Sequence, residues 1–306
     1  MSTKTNPHIG IITIACGKEK YYKQALNLAI SIKVNMPSLP ISLITDREEI
    51  DDKYFDNKIA INSSYGIGVV QKIFIDEYTP YEETLFLDSD CIVCKDFSEQ
   101  LENIRGFDFS PVCSTYLTKN QSDDYIDNLE MTLSKLNSNT LPKFNGGLYY
   151  FKKKSTLSKK VFKIAKEFLV NYKSYGVKNF DAAGPNEETI FSLSLAQLGI
   201  NKLYDDKGFF MQTTNNIKDF SISPIDGNCS FIKNGIHVQP AICHFIRSNT
   251  YNHHYLRCEL ILKKHVGELN SIVKLLTSYT NYIRYTSIYL LKKLYFILLH
   301  KHRSNN

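Results

Sequence analysis

Residues 84–93, TLFLDSDCIV, constrain the fold more than any other part of this chain of 306 residues. Four uncharged, mostly apolar residues lead directly into two carboxylates, Asp88 and Asp90, and the chain is apolar again from Ile92. This pattern is typical of a buried strand whose C-terminal end emerges at the edge of a sheet. Two carboxylates at that edge repel each other unless a cation lies between them. They predict a site for a hard divalent ion, Mn²⁺ or Mg²⁺, bound partly by protein and partly by substrate phosphates; the alternative is a turn capped by Asp88 beside a solvated Asp90.

The segments before this strand predict the sheet to which it belongs. Residues 8–15 form an apolar run rich in β-branched side chains, residues 22–33 have helical spacing, and residues 40–45 form a second apolar run. This order makes a right-handed βαβ unit, which puts residues 15–17 at the carboxyl edge of the sheet, where ligands bind. Further elements are expected as strands at residues 58–62 and 107–112 and a helix at residues 69–78. The predicted fold is α/β, with a mixed, mostly parallel central sheet flanked by helices.

Residues 144–151, FNGGLYYF, have two interpretations. The first is a tight turn at Asn-Gly-Gly that leads into an aromatic strand. In the second, the glycines let the backbone close on a substrate to which Asn145 forms a hydrogen bond.

Two later segments add ionisable groups. Asn186 has the position of an N-cap, and Glu187 and Glu188 follow it in the first turn of a helix, where the helix dipole favours acids. Residues 240–246 form an apolar strand that carries His244. A single histidine among apolar residues is either a hydrogen-bonded core residue or a ligand.

The cysteines and the polar start of the chain predict a cytoplasmic protein. The seven cysteines are an odd number, scattered and mostly within apolar runs, which is typical of reduced core thiols. Cys91 and Cys94 have a redox or zinc spacing but lack a second pair. The first eight residues are polar and do not resemble a signal peptide.

The net charge of +6 is concentrated at the C-terminus. Six of the 37 Lys and Arg residues lie in residues 271–306, which contain no acid, so the other 270 residues carry 31 basic and 31 acidic residues. A neutral body argues against a nucleic-acid partner. The tail is amphipathic at helical spacing, and none of its uncharged stretches reaches the eighteen or so residues that span a bilayer. We predict a domain at residues 1–265 and a basic helical tail at 266–306, which lies on an anionic membrane surface or docks on the domain or a second subunit.

Taken in order, these stretches resemble the GT-A nucleotide-sugar glycosyltransferases, most closely the retaining family 8 (the glycogenin and bacterial galactosyltransferase class), over about residues 8–250. The resemblance rests on the first strand with its small-residue loop, the Asp88-Ser-Asp90 motif, Phe144-Asn-Gly-Gly147, the acids after Asn186, and Cys243-His-Phe245. It implies a metal-dependent transfer of a hexose from UDP-glucose or UDP-galactose to a glycan, glycolipid or protein, with retention of configuration.

The resemblance also implies roles for individual residues. The implied ligands of Mn²⁺ (or Mg²⁺) are Asp88, Asp90 and His244. The implied uracil and ribose pocket consists of Ala15, Cys16, Gly17, Tyr21 and Ser89. Lys72 would contact the donor sugar or its phosphates, and the residues implied to surround the transferred sugar are Asn145, Gly146, Gly147, Glu187 and Glu188. A carboxylate or amide near the anomeric carbon would stabilise an oxocarbenium-like transition state.

The chain departs from the family pattern at two places. Family members usually have Asp-Gln-Asp where this chain has Asn186-Glu187-Glu188, so the sequence leaves open which acid faces the sugar. The family histidine is usually followed by glycine and then Lys-Pro-Trp, whereas Phe245 follows His244 here and the chain has no Trp. Arg247 is the candidate for the missing phosphate-binding cation.

Two other functions are compatible with an Asp-x-Asp strand. In haloacid-dehalogenase-like phosphatases the first Asp is a nucleophile, but that motif normally lies near the N-terminus and has Thr or Val where this chain has Ile92. The second alternative is a glycan-binding or scaffolding domain of the same fold without activity. Metal-dependent UDP binding distinguishes the transferase from the phosphatase.

Overall fold

A six-stranded sheet forms the centre of the computed structural model, which describes residues 8–50, 53–269, 276, 279–280, 282–291 and 294–295. The strands named here are β1 (Ile9–Ile14), β2 (Ile41–Thr45), β3 (Asn57–Ala60), β4 (Glu83–Leu87), β5 (Cys91–Val93), β6 (Phe109–Thr118), β7 (Thr140–Lys152), β8 (Asn179–Asp181), β9 (Gly184–Pro185), β10 (Met211–Thr213), β11 (Ile217–Ser223), β12 (Asn228–Lys233), β13 (Ile236–Val238) and β14 (Ile242–His244). The α-helices are α1 (Glu19–Asn35), α2 (Ile75–Tyr78), α3 (Ser98–Ile104), α4 (Leu129–Lys135), α5 (Thr156–Asn171), α6 (Glu187–Gln197) and α7 (His253–His265).

The central sheet has the order β3-β2-β1-β4-β7-β6. Strands β3, β2, β1 and β4 are parallel, with Ile11 opposite both Ile41 and Leu85, whereas β7 runs antiparallel to β4 and to β6. The prediction of a mixed, mostly parallel sheet in an α/β fold is therefore confirmed. Strand β4 lies inside the sheet and is buried along its whole length, which explains the uncharged run before the two aspartates.

Helices cover both faces of this sheet. Alternate residues of the parallel strands point to opposite faces, so that Ile11 and Leu85 join one hydrophobic cluster and Ile12 and Phe86 the other. Buried residues of α1 and α7 pack in the first cluster, and those of α5 and α6 pack in the second. At roughly 1.5–3 kcal/mol for each large apolar side chain, this burial dominates the stability of the layers.

After the two aspartates the chain enters a small second sheet, which has the strand order β10-β14-β5. Strand β5 begins one residue after Asp90 and pairs antiparallel with β14, so that Cys91 lies opposite His244. The backbone N–H of Phe245 donates to the carbonyl of Asp90 at 3.1 Å. The sheet thereby brings a segment near the C-terminal end of the domain to the edge of β4.

The structure differs from the sequence prediction around Asn145. Residues 145–147 lie inside β7, so the predicted turn at Asn-Gly-Gly is wrong. The pairing with β6 jumps there from Pro111–Tyr149 to Cys113–Phe144, a wide irregularity that lets residues 145–148 bend away from β6. Strands β6 and β7 continue beyond this irregularity, β6 to Thr118 and β7 from Thr140, and α4 lies between them.

Two further predictions concern the segment before β4 and the C-terminal tail. The expected helix at residues 69–78 is a 3-10 helix, Gly68–Phe74, followed by the short α2. Residues 266–269 of the predicted tail form a turn and its described residues from 276 onwards are helical, but most of that tail lies outside the described residues, so the division at residue 265 stays a prediction. Among the helices described, none has the length and apolar character required to cross a membrane.

Candidate metal and sugar-nucleotide site

The carboxyl edge of β4 turns sharply after Leu87. The N–H of Asp88 donates to the carbonyl of Gly147 at 3.0 Å, and the N–H of Cys91 donates to the carbonyl of Asp88 at 3.0 Å. These two bonds hold Asp88, Ser89 and Asp90 in a tight turn between β4 and β5. Both carboxylates therefore project at the edge of the sheet rather than along a straight strand.

His244 meets both carboxylates at this turn. Its Nε2 lies 3.0 Å from Oδ1 of Asp90 and 3.5 Å from Oδ2 of Asp88, and the side chain is buried. Burial lowers the pKa of His244, but the charge of Asp90, its hydrogen bond to the ring and the charge of Asp88 together raise it by more, so that the pKa of His244 lies above its ordinary value. The structure thus brings together the three residues that the sequence suggested as metal ligands.

Asn145 fixes the orientation of the His244 ring. Its Oδ1 lies 2.7 Å from Nδ1 of His244 and also accepts the N–H of Gly147 at 3.1 Å, while its Nδ2 donates to Oε1 of Glu188 at 3.2 Å. Because these bonds determine which end of the amide is oxygen, Nδ1 of His244 is the donor to Asn145. The remaining ring nitrogen, Nε2, faces the carboxylates and is the one available to a ligand.

The donor set at this turn fits a divalent cation. Ligand atoms of Asp90, Cys91 and His244 lie within 4.8 Å of one another, and Asp88 borders the same space. Burial, reinforced by the charges of Asp90 and Asp88, raises the pKa of the Cys91 thiol, so this group stays protonated. Two carboxylates and one imidazole are the hard and intermediate donors that suit Mn²⁺ or Mg²⁺ together with substrate oxygens.

Lys72 contacts both carboxylate oxygens of Asp88. Its Nζ is 2.7 Å from Oδ1 and 2.8 Å from Oδ2 of Asp88, 2.8 Å from Oε1 of Glu187 and 3.2 Å from the carbonyl of Gly146. Burial lowers the pKa of Lys72, but the charges of Asp88 and Glu187 raise it by more, so the ammonium group is charged. The 3-10 helix Gly68–Phe74 holds the lysine in this buried position.

The first turn of α6 supplies two acids with different surroundings. Glu187 is buried and pairs with Lys72; burial, opposed by Lys72 and reinforced by Glu188 and Asp88, raises its pKa from 4.5 to about 7. Glu188 is only partly buried, and its Oε1 accepts the N–H of Gly146 at 2.7 Å. The Asn186 side chain caps the helix by accepting the N–H of Glu188, as the sequence predicted.

Gly146 and Gly147 leave room for side chains from distant parts of the chain. A Cβ at Gly147 would lie 2.4 Å from Nδ1 of His244, and one at Gly146 would lie 2.4 Å from Oε1 of Glu187. Neither glycine has the left-handed backbone conformation of a turn. Both are therefore required for close approach, which was the second interpretation of this motif.

The residues expected to form a nucleotide pocket lie at the neighbouring strand end. The N–H of Ala15 donates to the carbonyl of Ile44, and the N–H of Gly17 donates to Oδ2 of Asp46 at 2.9 Å. Burial, with a smaller contribution from Asp46, raises the pKa of Cys16. Tyr21 is exposed on α1. Because β1 is the parallel neighbour of β4, this loop and the paired acids share one edge of the sheet.

Arg247 is separated from these contacts. It is exposed, has a φ of 57° and begins a 3-10 helix three residues after His244. No ion pair of Arg247 occurs within the described ranges of the chain. The structure therefore does not join Arg247 to the cluster around Asp88.

Tyr149 is a residue of the site that the sequence did not reveal. Its hydroxyl is buried without a hydrogen-bond partner in the described part of the chain, and it lies 2.8 Å from the Cβ position of Gly146. Burial and the charge of Glu187 raise its pKa well above 10.0. In the sequence Tyr149 stands among the aromatic residues of a strand, and nothing there distinguishes it from a core residue.

No family model matches the chain, and no curated protein matches its sequence. Similar solved structures include an active-site mutant of LgtC, with 14% identity, a TM-score of 0.49 and coverage of 78% of this chain and 87% of that chain. The galactosyltransferase LgtC with donor and acceptor sugar analogues has 15% identity, a TM-score of 0.48 and the same coverage. The bifunctional glycosyltransferase WbbM has 10% identity, a TM-score of 0.48 and coverage of 92% of this chain and 53% of that chain. These neighbours are glycosyltransferases, but at such identities and TM-scores they assign neither a family nor an activity to this chain.

Proposed function

We propose that this chain is a metal-dependent glycosyltransferase that moves a hexose from a UDP-sugar to a glycan, lipid or protein acceptor with retention of configuration. One observation carries the proposal: Asp88, Asp90 and His244 meet within 3.5 Å at the carboxyl edge of the central sheet. A mixed sheet of this kind binds its ligands at that edge. UDP-glucose and UDP-galactose are the proposed donors on grounds of resemblance.

The metal-binding residues would act as a preorganised unit. Asp88 and Asp90 would hold Mn²⁺ or Mg²⁺, and Asn145 keeps Nε2 of His244 directed at the same space. A bound ion would supply Lewis-acid stabilisation of the negative charge on the departing UDP. The buried ammonium of Lys72 lies beside the carboxylate of Asp88 and is the protein cation that we assign to the phosphates.

Glu188 is the acid that we assign to the transferred sugar. Glu187 is buried and is neutralised by Lys72, whereas Glu188 is partly accessible and is oriented by the N–H of Gly146 and the amide of Asn145. Glu188 would stabilise positive charge at the anomeric carbon, and Asn145 and Glu187 would position it. The backbone of Gly146 and Gly147 would border the sugar.

The nucleotide would extend from the metal towards the end of β1. We assign the uracil and ribose to Ala15, Cys16, Gly17 and Tyr21, with Ser89 next to the ribose because it lies between the two acids. Arg247 is proposed as a second cation for the phosphates, which requires its exposed side chain to turn towards the site. The protein is proposed to act in the cytoplasm, with its basic tail on the inner face of the membrane.

The proposal is tested by calorimetric titration of UDP with and without Mn²⁺. We expect UDP to bind at least tenfold more tightly in the presence of Mn²⁺, and Asp90→Asn to abolish this difference because it removes a metal ligand. Asp226→Asn changes an exposed aspartate whose described partner is Ser223, and it should behave as the wild type.

Two results would contradict the proposal. Equal UDP binding with and without Mn²⁺ would contradict a metal-dependent sugar-nucleotide site. Equal metal dependence in Asp90→Asn would show that Asp90 is not a ligand of the metal. Metal-dependent hydrolysis of phosphate monoesters without affinity for UDP would favour the phosphatase. If UDP binding is metal-dependent, the rates at which the protein slowly hydrolyses UDP-glucose and UDP-galactose are compared to identify the donor.

A further inference from the structure

The ammonium group of Lys72 occupies a position next to Asp88 that a metal ion would also need. It engages both oxygens of this carboxylate, Oδ1 at 2.7 Å and Oδ2 at 2.8 Å. The same Oδ2 faces Nε2 of His244 at 3.5 Å. A divalent ion bound between His244 and Asp88 would therefore share an oxygen atom with the ammonium group, and two cations at that separation repel each other strongly.

Lys72 keeps other partners when it leaves Asp88. Its Nζ is also bonded to Oε1 of Glu187 at 2.8 Å and to the carbonyl of Gly146 at 3.2 Å. These two oxygens belong to the segments proposed to border the donor sugar. A short movement of the flexible lysine side chain would therefore separate it from Asp88 without leaving its charge unpaired.

We propose that Lys72 is the resident counter-ion of Asp88, that it is displaced when the metal binds, and that it then pairs with the diphosphate of the donor. This inference rests on the proposed metal-dependent transferase. Before metal binds, the lysine neutralises a partly buried carboxylate, which His244 contacts only at 3.5 Å. Afterwards, the displaced ammonium group is available to a ligand that brings two negative phosphates. The metal alone therefore binds weakly, and metal with diphosphate binds tightly.

The experiment measures Mn²⁺ binding by electron paramagnetic resonance in the wild type and in Lys72→Met. Without UDP, we expect Lys72→Met to bind Mn²⁺ about tenfold more tightly, the typical value of one charge-assisted contact. With UDP present, we expect the order to reverse, because the variant lacks the cation for the diphosphate. In an Asp88→Asn background, the gain from Lys72→Met should fall below about twofold, since the carboxylate for which the two cations compete is absent.

Lys166 provides a matched control. Its ammonium group also bridges two carboxylates, 3.0 Å from Asp76 and 2.6 Å from Glu77, outside the site. Lys166→Met should leave Mn²⁺ affinity unchanged. If the single variant does not fold, Lys72→Met combined with Glu187→Gln replaces it in the experiment, because the double variant leaves no buried carboxylate at residue 187 without its lysine.

The outcomes separate this inference from the proposed function. If the wild type binds Mn²⁺ and both Lys72 variants bind it with the same affinity, Lys72 does not compete with the metal, although the transferase proposal stands. A gain of the same size in the Asp88→Asn background would also overturn the inference, because it would reflect the loss of a nearby charge rather than competition for Asp88. Absence of Mn²⁺ binding in the wild type, with and without UDP, would overturn both.

Discussion

Asn145 connects the two halves of the site through one amide group. Its oxygen contacts Nδ1 of His244, and its nitrogen donates to Glu188. A change at this residue therefore alters both the imidazole that faces the proposed metal and the acid that faces the proposed sugar. Mutation of such ligand partners typically lowers metal affinity or activity by about 10- to 100-fold.

Gly147→Ala tests the close approach of the histidine. The added methyl would lie 2.4 Å from Nδ1 of His244, so the ring must move and Nε2 must leave Asp90. We expect Mn²⁺ affinity to fall about 10- to 100-fold, as measured by paramagnetic resonance. Gly106→Ala is the control, since its Cβ would meet only the carbonyl of Asn103, at 3.3 Å. An unchanged affinity in Gly147→Ala would show that the position of the ring does not matter for the metal.

Glu187 should make stability depend on pH. Its pKa is about 7 in the folded protein, against 4.5 as the ordinary value that we take for the unfolded chain, so between these pH values the folded protein holds a proton that the unfolded chain has released. The free energy of unfolding therefore falls as pH rises from 4.5 to 7, by on the order of 3 kcal/mol, and this contribution is constant above pH 7.

Urea unfolding of the wild type and of Glu187→Gln at pH 5 and pH 8, with a chelator present, measures this effect. The difference in the free energy of unfolding, variant minus wild type, should be larger at pH 8 than at pH 5. The same difference between the proteins at both pH values would mean that the pKa of Glu187 is not raised.

At the scale of elements, the sequence predicted the strands and helices that have a recognisable pattern within their own residues. Strands β1, β2 and β4 were recognised by apolar runs, and the start of α6 by its Asn186 cap. Strand β7 was not recognised as continuous, because Asn-Gly-Gly is a strong local turn signal. The glycines are required instead by His244 and Glu187, which approach from distant segments.

The C-terminal tail remains a predicted membrane-binding element. Its described residues from 276 onwards are helical, and several apolar side chains are exposed: Leu276, Tyr279, Ile283, Leu290, Leu291, Leu294 and Tyr295. Tyr282 packs against the core of the domain, and the ring of Tyr285 lies 5.8 Å from that of Tyr251. One part of the tail thus contacts the domain, while other residues leave an apolar surface accessible.

The tail prediction is tested with vesicles. We expect the full chain to bind vesicles with anionic lipids at least tenfold more tightly than zwitterionic ones. Lys292→Gln with Lys293→Gln should weaken binding to the anionic vesicles about 30-fold, because each basic residue near the surface contributes about 1 kcal/mol. High salt should have the same effect. Equal binding to both vesicle types would favour docking on a second subunit, which analytical ultracentrifugation would detect as a dimer.

At the scale of the whole molecule, the sheet order explains what the sequence could predict about the site. The carboxyl ends of parallel neighbours meet at one edge, so the proximity of residues 15–17 to Asp88 follows from the βαβ pattern alone. The apolar run at residues 240–246 predicts a strand, but the position of His244 depends on the pairing of β14 with β5, which no local pattern indicates. The histidine was assigned as a ligand only through the resemblance to a family.

The pairing of β5 with β14 also has a consequence during synthesis. Residue 90 emerges from the ribosome before residue 244, and translation proceeds at about 5–20 residues per second. For about 8 to 30 seconds the nascent chain therefore contains the acidic turn but not His244. In that interval β5 has no β14 with which to pair, so the three proposed metal ligands cannot come together. A chain that ends between residues 153 and 243 would therefore contain every strand of the central sheet but lack His244, one of the three proposed metal ligands.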